Sequence, residues 1–117
     1  MTVVYMAHPV GDNPHANSLR SRRWLRWLHT ERPEWVVIAP WLHDLEVLGH
    51  LDREAALIRC EAVAAVCHDV VLVGGEITEG MRREARACGV WEDWTHLGPE
   101  PPDDEMDAEL GGLPVGA

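Results

Sequence analysis

No lysine and no phenylalanine occur in this chain of 117 residues, and its one tyrosine is Tyr5. The absence of lysine excludes Schiff-base chemistry and a P-loop lysine; every basic side chain is an arginine. Cysteine is scarce and odd in number. Cys60, Cys67 and Cys88 lack Cys-x-x-Cys spacing, which argues against a disulfide framework and fits a reduced, cytoplasmic protein. Long apolar runs are missing too. Met1 to Ala7 has no charged leader and is too short for a signal peptide or a membrane span. His8, Asp12 and His15, or Cys67-His68, give no closed set of ligands, so neither a metal nor a cofactor is expected.

Positive charge is also in deficit, with a formal net charge of −10. The excess is uneven, because Glu100, Asp103, Asp104, Glu105, Asp107 and Glu109 follow Gly98 with no base among them. Residues 1–97 carry 14 acids against 10 arginines, a balance of −4. So mild a charge, with no basic stripe, makes extended nucleic acid an unsuitable partner. Arg20, Arg22, Arg23 and Arg26 read as the solvated face of a helix. The proline-rich acidic stretch 98–117 cannot bury enough apolar surface to order itself and is expected to be a flexible tail on a single domain spanning 1–97.

What is present centres on residues 68–84. Val70 to Val73 is a short apolar run bounded by turn residues, the pattern of a strand covered on both faces. Gly74-Gly75 ends it, and Thr78 is placed to cap a helix whose first free N–H groups suit a phosphate or a sugar hydroxyl. At about 100° per residue, Met81, Ala85 and Cys88 share a stripe, with Glu84 on its flank and Arg82, Arg83 and Arg86 opposite. Glu84 therefore points toward the sheet, where a carboxylate needs partners or a ligand. Gly89 suits the end of that helix.

Elsewhere the chain alternates between strand and helix patterns. Thr2–Ala7 reads as a central strand, broken by His8-Pro9-Val10-Gly11. A first helix is expected from about Ala16 to Thr30, with Trp24, Trp27 and Leu28 inward. Trp35–Ala39 reads as the second strand and Pro40–Leu48 as a loop. A second helix is expected from about Leu51 to Cys67, burying Leu51, Ala55, Ile58, Ala62, Ala65 and Val66 with Glu61 beside them. Val90–Trp94 is a short fourth strand. This alternation predicts an α/β fold, a Rossmann-like or flavodoxin-like three-layer sandwich with a parallel sheet of four to five strands in the order 2-1-3-4. Ligands of such sheets bind at the carboxyl ends of the strands beside the topological switch, where the loop after strand 1, the Pro40 loop and Gly74–Glu84 converge.

Three features, Tyr5-Met6-Ala7-His8-Pro9-Val10-Gly11, Glu61 eight residues before Asp69, and Thr78-x-Gly80-Met81-x-x-Glu84, resemble the nucleoside 2-deoxyribosyltransferase superfamily and its nucleotide N-glycosidase relatives. The resemblance spans most of residues 3–91. It implies that Glu84 attacks the anomeric carbon of a sugar, that Tyr5 orients it, and that Glu61 donates a proton to the leaving base. His8, Pro9, Gly11, Gly74, Thr78, Gly80 and Met81 would then bind the substrate. Cleaving an N-glycosidic bond builds positive charge on the sugar ring, which a carboxylate below it can stabilise and capture. The implied partner is a nucleoside or nucleoside 5′-monophosphate, with no nucleic acid and no membrane, and the implied assembly is a homodimer or larger. Hydrolysis and base exchange differ only in the acceptor, and a non-catalytic nucleotide- or nucleoside-binding module on the same fold stays open as the alternative.

Overall fold

The computed structural model describes residues 1–11, 13–48 and 52–102. The chain runs β1 (Thr2–Ala7), α1 (Pro14–Glu31), β2 (Trp35–Ile38), α2 (Pro40–His43) continuing as a π-helical turn (Asp44–Leu48), α3 (Arg53–Ala64), β3 (Asp69–Leu72), α4 (Glu79–Cys88), β4 (Trp91–Asp93) and a 3₁₀ turn (Thr95–Leu97). All four strands are parallel in the order β2-β1-β3-β4. This is the expected α/β topology, with the switch between β1 and β3.

Alternation along the central strands divides the interior in two. Tyr5, Ala7, Val70 and Leu72 face Trp41, Cys60, Ala64, Met81 and Ala85 of α2, α3 and α4. Val4, Met6, Val71 and Val73 face Trp24, Trp27 and Leu28 of α1 on the other side. Helices therefore cover both faces of the sheet, as continuous apolar strands require.

Local chemistry sets the helix ends. Asn13 accepts from the N–H of Ala16 and Pro14 occupies the first turn, so α1 starts two residues before the expected Ala16. Thr78 Oγ1 accepts from Met81 N–H, and Gly89, at φ 84°, closes α4 in a left-handed conformation only glycine adopts cheaply.

Three expectations need correcting. Pro40–Leu48 is helical, because a proline in the first turn starts a helix as readily as it ends one. The buried face of α3 is Cys60 and Ala64, with Ala56, Leu57 and Val63 partly covered; Ile58 and Val66 are 57% and 82% exposed, and Ala55, Ala62 and Ala65 are exposed too. The helix is apolar on two stripes, so spacing alone fitted either. The start of the acidic stretch is docked: Trp24 Nε1 donates to Pro99 O at 3.0 Å, Arg20 and Arg23 grip Glu100, and Pro101 is buried. Asp12, His50, Leu51 and residues 103–117 lie outside the described residues. No helix among the described residues is long and apolar enough to cross a membrane.

Candidate functional site

A cavity of about 320 Å³ opens beside the β1/β3 switch point. Its floor is Glu84 and Met81 of α4, with Thr78 and Gly80 at the start of that helix. His8 and Gly11 line it from the loop after β1, while Trp41, Asp44 and Cys60 come from α2, the π turn and α3.

Glu84 is 5% exposed and accepts a short hydrogen bond from the hydroxyl of Tyr5 in the central strand. Burial pushes its carboxyl up to about 7, a rise opposed by the Tyr5 bond and reinforced by the charge of Glu61. Burial and the neighbouring Glu84 likewise drive the Tyr5 phenol far above its usual range, so Tyr5 is a donor at any working pH. The same hydroxyl meets the thiol of Cys60, which burial pushes up to about 11. Cys60 is therefore a protonated, weakly nucleophilic wall of the cavity.

His8 is 3% exposed, and burial lowers its imidazole to about 4. A neutral ring beside the Pro9 carbonyl donates from Nδ1 at 2.7 Å, leaving Nε2 as an acceptor with no partner among the described residues. Gly74 makes this packing possible. At φ 104°, a Cβ there would stand 2.6 Å from Pro9 Cδ and 2.8 Å from His8 Cδ2. Pro9 and Gly74 thus support the wall from behind rather than line it.

Six of the expected residues, His8, Gly11, Thr78, Gly80, Met81 and Glu84, meet around the cavity, with Tyr5 behind Glu84. Glu61 does not line it. Its carboxylate forms an ion pair with Arg83, which also holds Glu54 at 2.9 Å, and the neighbouring Cys60 takes the place in the wall. Glu61 still acts on the site through space, by raising Glu84.

The Pro40–Asp44 segment reaches the cavity as expected, but sequence reasoning singled out neither Trp41 nor Asp44 in it, and it missed Arg53. Asp44 is 6% exposed, and Arg59 grips it with Nε at 3.2 Å from Oδ2 and Nη2 at 3.4 Å from Oδ1. Trp41, one turn earlier, packs near-parallel to His8 with ring centroids 6.0 Å apart, and its indole nitrogen has no partner among the described residues. Arg53 lines the rim from the start of α3. The available signal was Pro40, an N1 proline that marks a helix carrying Trp41 and Asp44 on one face. Among the described residues no three His, Cys, Asp or Glu side chains stand together as metal ligands.

The arrangement can hold one poised carboxyl against a ligand, fix it with a phenol, and present a helix start, a neutral imidazole and a guanidinium around the rest. Comparison with known proteins adds nothing to this: no family model, no curated protein and no solved structure matches the chain.

Proposed function

We propose that the chain cleaves the N-glycosidic bond of a nucleoside or nucleoside 5′-monophosphate, releasing the base to water or exchanging it for another, with Glu84 as the nucleophile. The observation that supports this best is the buried Glu84 carboxyl, held by Tyr5 at the floor of a cavity entered past the start of α4.

In this reading a Glu84 oxygen attacks the anomeric carbon while the base leaves with the electrons of the C–N bond and takes a proton from water. A glycosyl ester forms. Water, or the ring nitrogen of a second base, then attacks the same carbon and frees Glu84. Tyr5 fixes the carboxylate and favours its ionised form. Thr78 and the free N–H groups of α4 face the sugar or its phosphate, and Arg53 adds the nearest cation of the rim. Glu61 contributes a charge near Glu84 and is not the proton donor, since Arg83 occupies its carboxylate.

The test is base release from ribo- and deoxynucleosides and their 5′-monophosphates, followed by liquid chromatography with and without a second free base. Release by wild type that vanishes in Glu84→Ala supports the reading; no release from any member of the panel overturns it. The protonated thiol of Cys60 where the resemblance puts an acid, with Asp44 already paired to Arg59, favours a second reading, a nucleoside-binding module. Glu84→Gln then keeps affinity with no turnover to lose.

The same reading takes the chain to be a homo-oligomer. Ile58 on α3, Val66 just past its end and Trp91 on the edge strand are more than half exposed, apolar side chains that a second copy would cover. A monomer mass by light scattering at micromolar concentration overturns that part.

A further inference from the structure

Among the described residues Asp44 is the one carboxylate in the cavity wall besides Glu84, and nothing in the glycosidic step uses it. It is nine-tenths buried, at the junction of α2 and the π turn, a kind of helical irregularity that recurs at functional sites. Arg59 reaches it from outside, with a side chain 58% exposed, and gives each oxygen one donor. A carboxylate oxygen has a second lone pair, and among the described residues no donor other than Arg59 reaches Asp44. Cys60 lines the same cavity and feels the charges of both Asp44 and Glu84. The wall thus carries a sugar-facing acid on α4 and, on the helical segment of Trp41, a second acid.

We propose that Asp44 selects the base: its free lone pair accepts a hydrogen bond from an exocyclic amino group, so the cavity takes amino-bearing nucleobases and rejects their oxo counterparts. This rests on the nucleoside reading above. An amino group supplies an N–H to the buried oxygen. A carbonyl at the same place would set one acceptor against another, away from water, a mismatch of the kind that produces large discrimination. Trp41, three residues earlier and on the same side of the helix, lines the same cavity and adds apolar surface beside the base.

Two matched pairs test this with the full chain: 9-methyladenine against 9-methylhypoxanthine, and 1-methylcytosine against 1-methyluracil, by titration calorimetry. None has a glycosidic bond, so binding is read apart from cleavage. In a pair that binds, the amino member is expected to bind at least tenfold more tightly. Asp44→Asn, whose amide can turn to donate or accept, is expected to bring that ratio to about one. Equal binding within the pairs, preference for the oxo member, no binding of any of the four, or an unchanged ratio in Asp44→Asn overturns the proposal. If Asp44→Asn does not fold, the wild-type ratios decide alone. An amino preference without base release leaves this inference standing and removes the glycosidic reading, whereas release from uridine or inosine nucleosides in preference to cytidine or adenosine does the reverse.

Discussion

The Tyr5 hydroxyl donates to Glu84 Oε2 across 79 positions of sequence, joining the central strand to the second turn of α4. This bond favours the charged carboxylate of Glu84, against burial and Glu61. Tyr5→Phe is therefore expected to raise the Glu84 pKa above about 7. In a pH profile of base release, the acidic limb should move to higher pH. Loss of a buried bond to an ionisable group should also cost about 2 kcal/mol in denaturant unfolding. A limb that does not move would mean that Tyr5 only packs against Glu84.

Glu84 also leaves a signature in stability. Its folded pKa, about 7, lies above the ordinary 4.5, so between these values the folded chain holds a proton that the unfolded chain has lost. Stability contributed by this group is full below about pH 4.5 and is lost as the pH rises through about 7, by about 3 kcal/mol at most. His8 has the opposite sign. With its imidazole lowered to about 4, folding gains as the pH rises from about 4 to the ordinary 6.5. The two nearly cancel in the wild type. Glu84→Gln removes one of them, so the variant is expected to gain stability over wild type at pH 8 and lose that advantage at pH 5, measured by chemical denaturation at both.

Glu61→Gln separates a proton donor from a neighbouring charge. As a charge, Glu61 raises Glu84; removing it is expected to lower the acidic limb of the pH profile while release continues. Because Arg83 is also bound to Glu54, it keeps a partner in the variant. Abolished release with an unmoved limb would restore Glu61 as the acid.

How far the site was legible depends on how one-sided each helix is. On α4, charged side chains fill one face so completely that Glu84 stands out as the acid on the wrong side, and the structure buries it. On α3, alanines and branched residues occupy two stripes, and nothing local decides which meets the sheet. The choice is tertiary: Cys60 and Ala64 fit against Tyr5 and Val70, while Ile58 and Val66 are left outside. This rotation is what moves Glu61 out of the wall and puts Cys60 in. Asp44 was hidden for a different reason. Its partner Arg59 lies 15 residues away on another helix, a pairing that no local pattern encodes.

The docking of Glu100 is a surface device. Its contacts with Arg20 and Arg23 are half in solvent, so Glu100→Ala is expected to cost about 1 kcal/mol or less. The local effect should be larger, since the ion pairs are lost and the Trp24–Pro99 bond, the packing of Pro99 by Gly75 and the burial of Pro101 then hold the segment. Faster thermolysin cleavage near Leu97, mimicked in the wild type by high salt, is the expected outcome. Equal cleavage rates would assign the docking to the prolines alone.

Gly74→Ala tests the wall without removing a polar group. At φ 104° any L-residue is strained, and the added methyl would meet Pro9 Cδ at 2.6 Å and both His8 Cδ2 and Nε2 within 3 Å. His8 is already packed against Trp41 and tied to the Pro9 carbonyl, so neither ring can retreat freely. The β1 loop must then move away from β3, opening the cavity at the switch point. The expected result is a loss of about 2 kcal/mol or more in stability. Nucleoside binding should weaken beyond what the fall in folded fraction explains, in calorimetry below the melting transition. Gly89→Ala is the control, because it carries the same kind of backbone strain at φ 84° with no atom within 4 Å of the added Cβ and lies at the far end of α4. If both variants lose stability and only Gly74→Ala loses the ligand, the His8–Pro9 wall is part of the site; if both lose ligand in proportion to stability, that wall is packing alone.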